Sequence, residues 1–205
     1  MTLTRVRNLM LATMIAGALV MSGCSKTTEP PKPTDAAAAK KEKPLLDVPA
    51  SFANEAARQE FVQKAIAEGY YQEAKTVLES ALANTPDANA YVSLGTARYN
   101  LKDYAGAIEA WNKAAELDVK KAGEMLNNSG NALRDSRKPE EAKAAYEQAL
   151  KLEPARWTAA VNWATLLASE GKFDQAVKVI EGAIPNNPNI QPLASLLETY
   201  KKKLG

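Results

Sequence analysis

The sequence has no histidine and one cysteine, Cys24, in 205 residues. Without histidine it lacks the side chain that most often moves protons at neutral pH and most often binds transition metals. A lone cysteine cannot close an internal disulfide, and with no second thiol or imidazole no Cys/His metal site can form. An excess of either charge is also missing, because 26 Lys and Arg stand against 24 Asp and Glu. Nucleic-acid phosphates call for clustered basic charge, and no such cluster stands out, which argues against a nucleic-acid partner and for a protein or peptide one. No P-loop, glycine-rich dinucleotide turn or G-x-S-x-G stretch occurs, and the carboxylates fall mostly on polar helix faces. No catalytic residue, metal or cofactor is therefore assigned.

What the sequence does contain is a repeated pattern. Gly123 to Arg156 carries two amphipathic helical stretches, a break at Arg137-Lys138-Pro139 and a closing Pro154. Small residues stand at Gly130, Ala142 and Ala149, and larger ones at Leu126, Leu133 and Tyr146. Ala142 has counterparts at Ala74, Ala107 and Ala176, and Ala149 at Ala81, Ala114 and Ala183, so the pattern recurs with a nearly constant period. Tyr146 aligns with Leu78, Trp111 and Ile180, Gly130 with Gly95 and Ala164, and Pro154 with Pro86 and Pro188. One helix hairpin cannot cover its own apolar faces, so such units stack and bury them between neighbours.

This period and these positions resemble the tetratricopeptide repeat family over Glu55 to Ile190. The resemblance implies an all-α fold, an α-solenoid of about four helix hairpins at 55–87, 88–122, 123–156 and 157–190. It departs from the family pattern in the first repeat, which has Arg58 and Val62 where large apolar and small residues are usual, and in the second, where Val119 replaces the proline.

Local signals agree with a helical solenoid spanning 51–205. Asn54 is placed to cap the first helix, in which Phe61 with Ala65 and Val62 with Ile66 give helical spacing, and Gly69 ends it. Pro139 stands where a helix has no use for an amide hydrogen, and Glu140 and Glu141 lie where the helix dipole favours anions. Gly171 turns the fourth repeat. Pro192 opens a last helix over 192–204, with Leu193, Leu196, Leu197, Tyr200 and Leu204 on one stripe, that caps the open end of the stack. Lys201, Lys202 and Lys203 suit the negative end of that helix, which accounts for them without anionic lipid.

Residues 1–23 read as a signal peptide: Arg5 and Arg7 precede a short apolar run, Leu9 to Val20, and then Met21-Ser22-Gly23. Removing them leaves 24 basic side chains against 24 acidic ones. The Ser22-Gly23-Cys24 order resembles a bacterial lipoprotein box, with Met21 where that family usually has leucine. The resemblance implies cleavage before Cys24 and acylation of it, several acyl chains giving a stable membrane anchor where one would not. An ordinary secretory signal cleaved near Cys24 is the alternative. By resemblance to enteric bacterial lipoproteins, Ser25 in place of aspartate implies the outer membrane, facing the periplasm. Residues 24–50 read as a tether, whose prolines at 30, 31, 33, 44 and 49 favour extended backbone. Leu45, Leu46 and Val48 are apolar enough to fold back on the first repeat.

The first helix of each repeat in such a solenoid lines a concave surface, the usual recognition face. In this register the polar residues there are Ser93, Thr96 and Asn100, then Asn127, Asn128, Asn131 and Arg134, then Asn162 and Thr165. Asn128 and Asn162 stand one full period apart and occupy equivalent places on neighbouring repeats. A side-chain amide both donates and accepts, so it can pair with an extended peptide backbone without reading side chains. In tetratricopeptide proteins that resemble this one, asparagines at this place contact ligand backbone. The plainer reading is that they are solvated groove residues or cap local turns. A carboxylate clamp is not expected, since Arg134 stands almost alone. Trp111, Trp157, Trp163, Tyr91 and Tyr146 read as packing residues rather than ligand platforms.

The expectation is a lipid-anchored adaptor that holds a protein or peptide partner of the bacterial envelope in its groove, without turnover. Its architecture is similar to that of small lipoproteins that assist pilus or secretin assembly or dock cell-wall enzymes. Two alternatives stay open: a carboxylate-dependent envelope hydrolase or transferase, and a purely structural spacer.

Overall fold

The computed structural model describes residues 46–205, and the signal segment, Cys24 and most of the tether lie outside them. Among the described residues there are helices and no strands, in the order α1 (Glu55–Ala67), α2 (Tyr71–Leu82), α3 (Ala88–Asn100), α4 (Tyr104–Leu117), α5 (Ala122–Asp135), α6 (Pro139–Leu152), α7 (Trp157–Ser169), α8 (Phe173–Ala183) and α9 (Gln191–Lys201). Each helix packs on the next, and α1 also touches α3, α5 touches α7, and α7 touches α9. The odd-numbered helices thus form one layer and the even-numbered helices the other.

The four turns inside the hairpins are built alike. The residue that leaves each first helix takes a left-handed φ of 79° at Gly69, 65° at Lys102, 65° at Arg137 and 77° at Gly171. Its amide hydrogen bonds back within the last turn, and the next amide reaches one residue further: Tyr70 to the carbonyl of Ala65, Asp103 to Arg98, Lys138 to Leu133 and Lys172 to Leu167. This double closure satisfies carbonyls that a helix end leaves free. Glycine takes that backbone at no steric cost, whereas Lys102 and Arg137 hold it against their Cβ atoms.

Side chains cap several helix starts, Asn54 as expected and Asp87 and Asp103 in addition. Asn54 accepts from the amide of Ala57 at 2.9 Å, Asp87 from Ala90 at 2.7 Å and Asp103 from Gly106 at 3.0 Å. Pro139 opens α6, with Glu140 and Glu141 in its first turn. Where Val119 replaces the proline, Val119–Lys121 form a 3-10 turn closed by Asp118, and Val119 is 79% exposed.

Packing within a hairpin depends on the small positions. Ala74, Ala107, Ala142 and Ala176 are fully buried, and Ala114, Ala149 and Ala183 are buried with them. A Cβ on Gly95 would run into the Trp111 ring, and one on Gly130 would run into Tyr146. The absent side chains are what let those rings approach the facing helix so closely.

Both ends of the stack are covered. Val48 and Phe52 pack against the cluster of Val62, Val77 and Leu78, Leu46 packs beside Ala65 and Ala74, and the Phe52 and Phe61 rings lie 5.4 Å apart. Ordered packing therefore begins before the expected domain start at residue 51. At the other end Leu193 and Tyr200 are buried against Ile180, Leu167 and Ala164. Glu198 stands in α9 where Gly95, Gly130 and Ala164 stand in their helices, and it is exposed, so among the described residues no second helix packs there. The expected capping helix 192–204 is shorter than read: it spans Gln191–Lys201, and Leu204 lies beyond its end, 52% exposed rather than on the stripe.

Candidate functional site

The face of α1, α3, α5 and α7 carries two polar rows set by the repeat. Glu60, Ser93, Asn128 and Asn162 form one, and Gln63, Thr96, Asn131 and Thr165 the other. Successive members of each row are separated by the same offsets that relate Ala74, Ala107, Ala142 and Ala176.

The asparagines bond to one another across the repeats. The Asn162 amide donates to Asn127 Oδ1 at 2.9 Å, joining α7 to α5, and Asn127 Nδ2 lies 3.4 Å from Asn128 Oδ1. Asn127 is only 6% exposed, so it holds the other two rather than facing the groove. Among the described residues, Asn128 Nδ2 and Asn162 Oδ1 have no side-chain hydrogen-bond partner. Asn131 Oδ1 accepts from the buried Tyr146 hydroxyl at 2.8 Å, and burial raises that phenol above its ordinary pKa. The Thr165 hydroxyl lies 3.4 Å from that of Tyr200. Thr96 donates to the carbonyl of Val92 and Asn100 to that of Thr96, both within α3. Ser93 is half-buried on the same face.

Arg134 does not offer a free cation. Its Nε donates to Asp135 Oδ1 at 2.8 Å, and Asp135 Oδ2 accepts from the Tyr99 hydroxyl of α3. Burial raises the Tyr99 pKa to about 12, with the hydrogen bond to Asp135 adding to it. Burial acts to raise Asp135 as well, but the hydrogen bonds from Arg134 and Tyr99 prevail and hold it below the usual carboxylate range. The three groups tie the ends of α3 and α5 together.

The same face opens into a pocket of about 290 Å³ at the first repeat. Val62, Leu78, Ala90 and Val92 supply its apolar lining, and Gln59, Gln63, Asn89 and Ser93 its polar walls. Of the residues expected from sequence only Ser93 lies there. Gln63 stands one repeat before Thr96, so carrying that row back by one period would have found it. Among the described residues no group of His, Cys, Asp and Glu is arranged to hold a metal ion.

Tetratricopeptide repeat patterns match residues 60–122 and 127–189, each span covering two hairpins. The chain belongs to the tetratricopeptide repeat family. Solved structures of the same fold include two of MamA, one 21% identical over 65% of this chain and 78% of that one with a TM-score of 0.57, the other 19% identical over 72% and 81% with 0.58. Pseudomonas aeruginosa pilF is 24% identical over 71% of this chain and 68% of its own, with a TM-score of 0.57. A search of curated proteins finds no match. Tetratricopeptide repeats stack into scaffolds with an extended face for a protein or peptide, and that face here carries the two polar rows.

Proposed function

We propose that this tetratricopeptide protein is a lipid-anchored adaptor of the bacterial envelope, holding an extended segment of another protein along its concave face without turnover. The observation that carries the reading is the pair Asn128 and Asn162. They are held in register by the buried Asn127, and each keeps part of its amide unpaired toward the groove. Such groups pair with peptide carbonyls and amides, giving affinity that depends little on partner side chains. Arg134 is neutralised by Asp135, which favours backbone recognition over capture of an acidic tail.

The anchor rests on Cys24 and the segment before it. Acylation there would tether the repeats to a membrane, with Ser25 favouring the outer membrane, and the proline-rich stretch would hold them off its surface. The test is crosslinking in intact cells with identification of the captured protein, comparing the natural chain with an Asn128→Ala/Asn162→Ala variant. Capture of one envelope protein, lost in the variant, is the expected result; capture unchanged in the variant would refute the groove assignment. Incorporation of a labelled fatty acid, abolished by Cys24→Ala, checks the anchor separately.

A further inference from the structure

We propose that the pocket between α1 and α3 anchors one leucine- or phenylalanine-sized apolar side chain of the bound peptide, so that recognition by this face is not purely backbone-directed. The proposal rests on the reading of the concave face given above and adds a specificity element to it. The pocket has a cause in the repeat itself. At the position where α4 carries Trp111 and α6 carries Tyr146, α2 carries Leu78.

In the second and third hairpins the ring reaches across the first-helix layer. Trp111 lies over Gly95 of α3, donates to the carbonyl of Val92 at 3.3 Å, and shares a cluster with Met125 and Ala132 of α5. Tyr146 lies over Gly130, reaches Asn131 and shares a cluster with Leu166 of α7. In the first hairpin Val62 takes the glycine position and Leu78 the ring position. These two branched aliphatics share a cluster with Leu94 of α3, but they are smaller than a ring, and an opening of about 290 Å³ remains beside them between α1 and α3.

The shape and charge of the opening select its occupant. Val62, Leu78, Ala90 and Val92 give it an apolar floor, which favours an apolar group by the free energy of removing its surface from water. Its lining also includes Glu55, which pairs with Arg58, together with Lys121, which pairs with Asp118, and Glu124. The lining as a whole carries no excess charge, with two acids and two bases, so it has no net charge to draw in a charged side chain. Ser93 lies both on the pocket wall and on the row that continues to Asn128 and Asn162, so a strand paired with the asparagines runs on to the pocket.

The test uses the full-length chain, isotopically labelled for amide NMR in mild detergent, and two probes: a blocked heptapeptide of glycine and serine with a central phenylalanine, and its Phe→Ala counterpart. The expected result is that the phenylalanine peptide shifts the amides of Val62, Leu78, Ala90 and Val92 and binds about tenfold or more tighter than its counterpart, as burial of one such side chain implies. Leu78→Trp, which restores a ring at this position, should abolish that difference. If the melting curve shows that Leu78→Trp does not fold, Ser93→Trp blocks the mouth from α3 and should do the same. Equal binding of both peptides, with shifts confined to Asn128 and Asn162, would overturn the anchor while leaving the backbone reading intact. No shift on the concave face with either peptide would overturn both.

Discussion

Gly130 and Gly182 both lie inside helices, yet their surroundings predict opposite effects for the same substitution. A Cβ at Gly130 meets the fully buried Tyr146 ring, which has no room to yield, whereas one at Gly182 meets nothing within 4 Å. Gly130→Ala should cost about 1–3 kcal/mol through overpacking. Gly182→Ala should gain up to about 1 kcal/mol by restricting the unfolded chain and favouring helix. Chemical denaturation of the two variants beside the parent checks both signs. Tyr99 gives a pH-dependent prediction. The folded chain holds its phenolic proton past the ordinary value of 10.0, up to about 12. Its contribution to stability is thus whole below pH 10 and is lost as pH rises to about 12. The difference in melting temperature between the parent and Tyr99→Phe should shrink over that window, and a constant difference would show that the hydroxyl is not held by Asp135. At this scale the small and aromatic positions were legible because each period of the repeat brings them round again. The left-handed turns at Lys102 and Arg137 were not, because neither residue is the glycine that marks the same turn at Gly69 and Gly171.

Elements at the two ends of the solenoid close faces that the inner hairpins close for one another. The extended segment with Val48 and Phe52 covers the first hairpin, and α9 covers the fourth through Leu193 and Tyr200. Since each repeat rests mainly on its neighbours, loss of an end element should loosen the adjacent hairpin first. Phe52→Ala should cost about 2 kcal/mol, roughly half the value for a fully buried ring. Amide exchange should quicken in α1 and α2 while α5 to α8 keep their protection. Uniform quickening along the chain would show instead that the solenoid opens as one unit. The capping helix was legible from Pro192 and its leucines, but not its end, since Leu204 fits the stripe by spacing although it falls past Lys201. The N-terminal cover was legible only as an apolar trio in a proline-rich stretch, because extended packing leaves no periodic trace.

Across the whole molecule, the register of four hairpins turns single polar residues into rows along one face, and that register was readable from the alanines and glycines alone. Which members of the rows face a ligand was not, because spacing does not show that Asn127 is buried beneath Asn128 and Asn162 or that Asn131 is engaged by Tyr146. The pocket was missed for a related reason: Leu78 matches the family's apolar pattern as well as a ring does, and only the geometry shows the space it leaves. The central claim, that partners are held on the concave face, is tested most directly by placing a photo-reactive residue at one position per experiment in living cells. The positions are Ser93 and Thr165 on the first-helix layer, and Lys151 and Lys178 on the exposed surface of α6 and α8. The account predicts a single protein adduct from the first pair and none from the second. Adducts of equal strength from both layers, or from α6 and α8 alone, would contradict it.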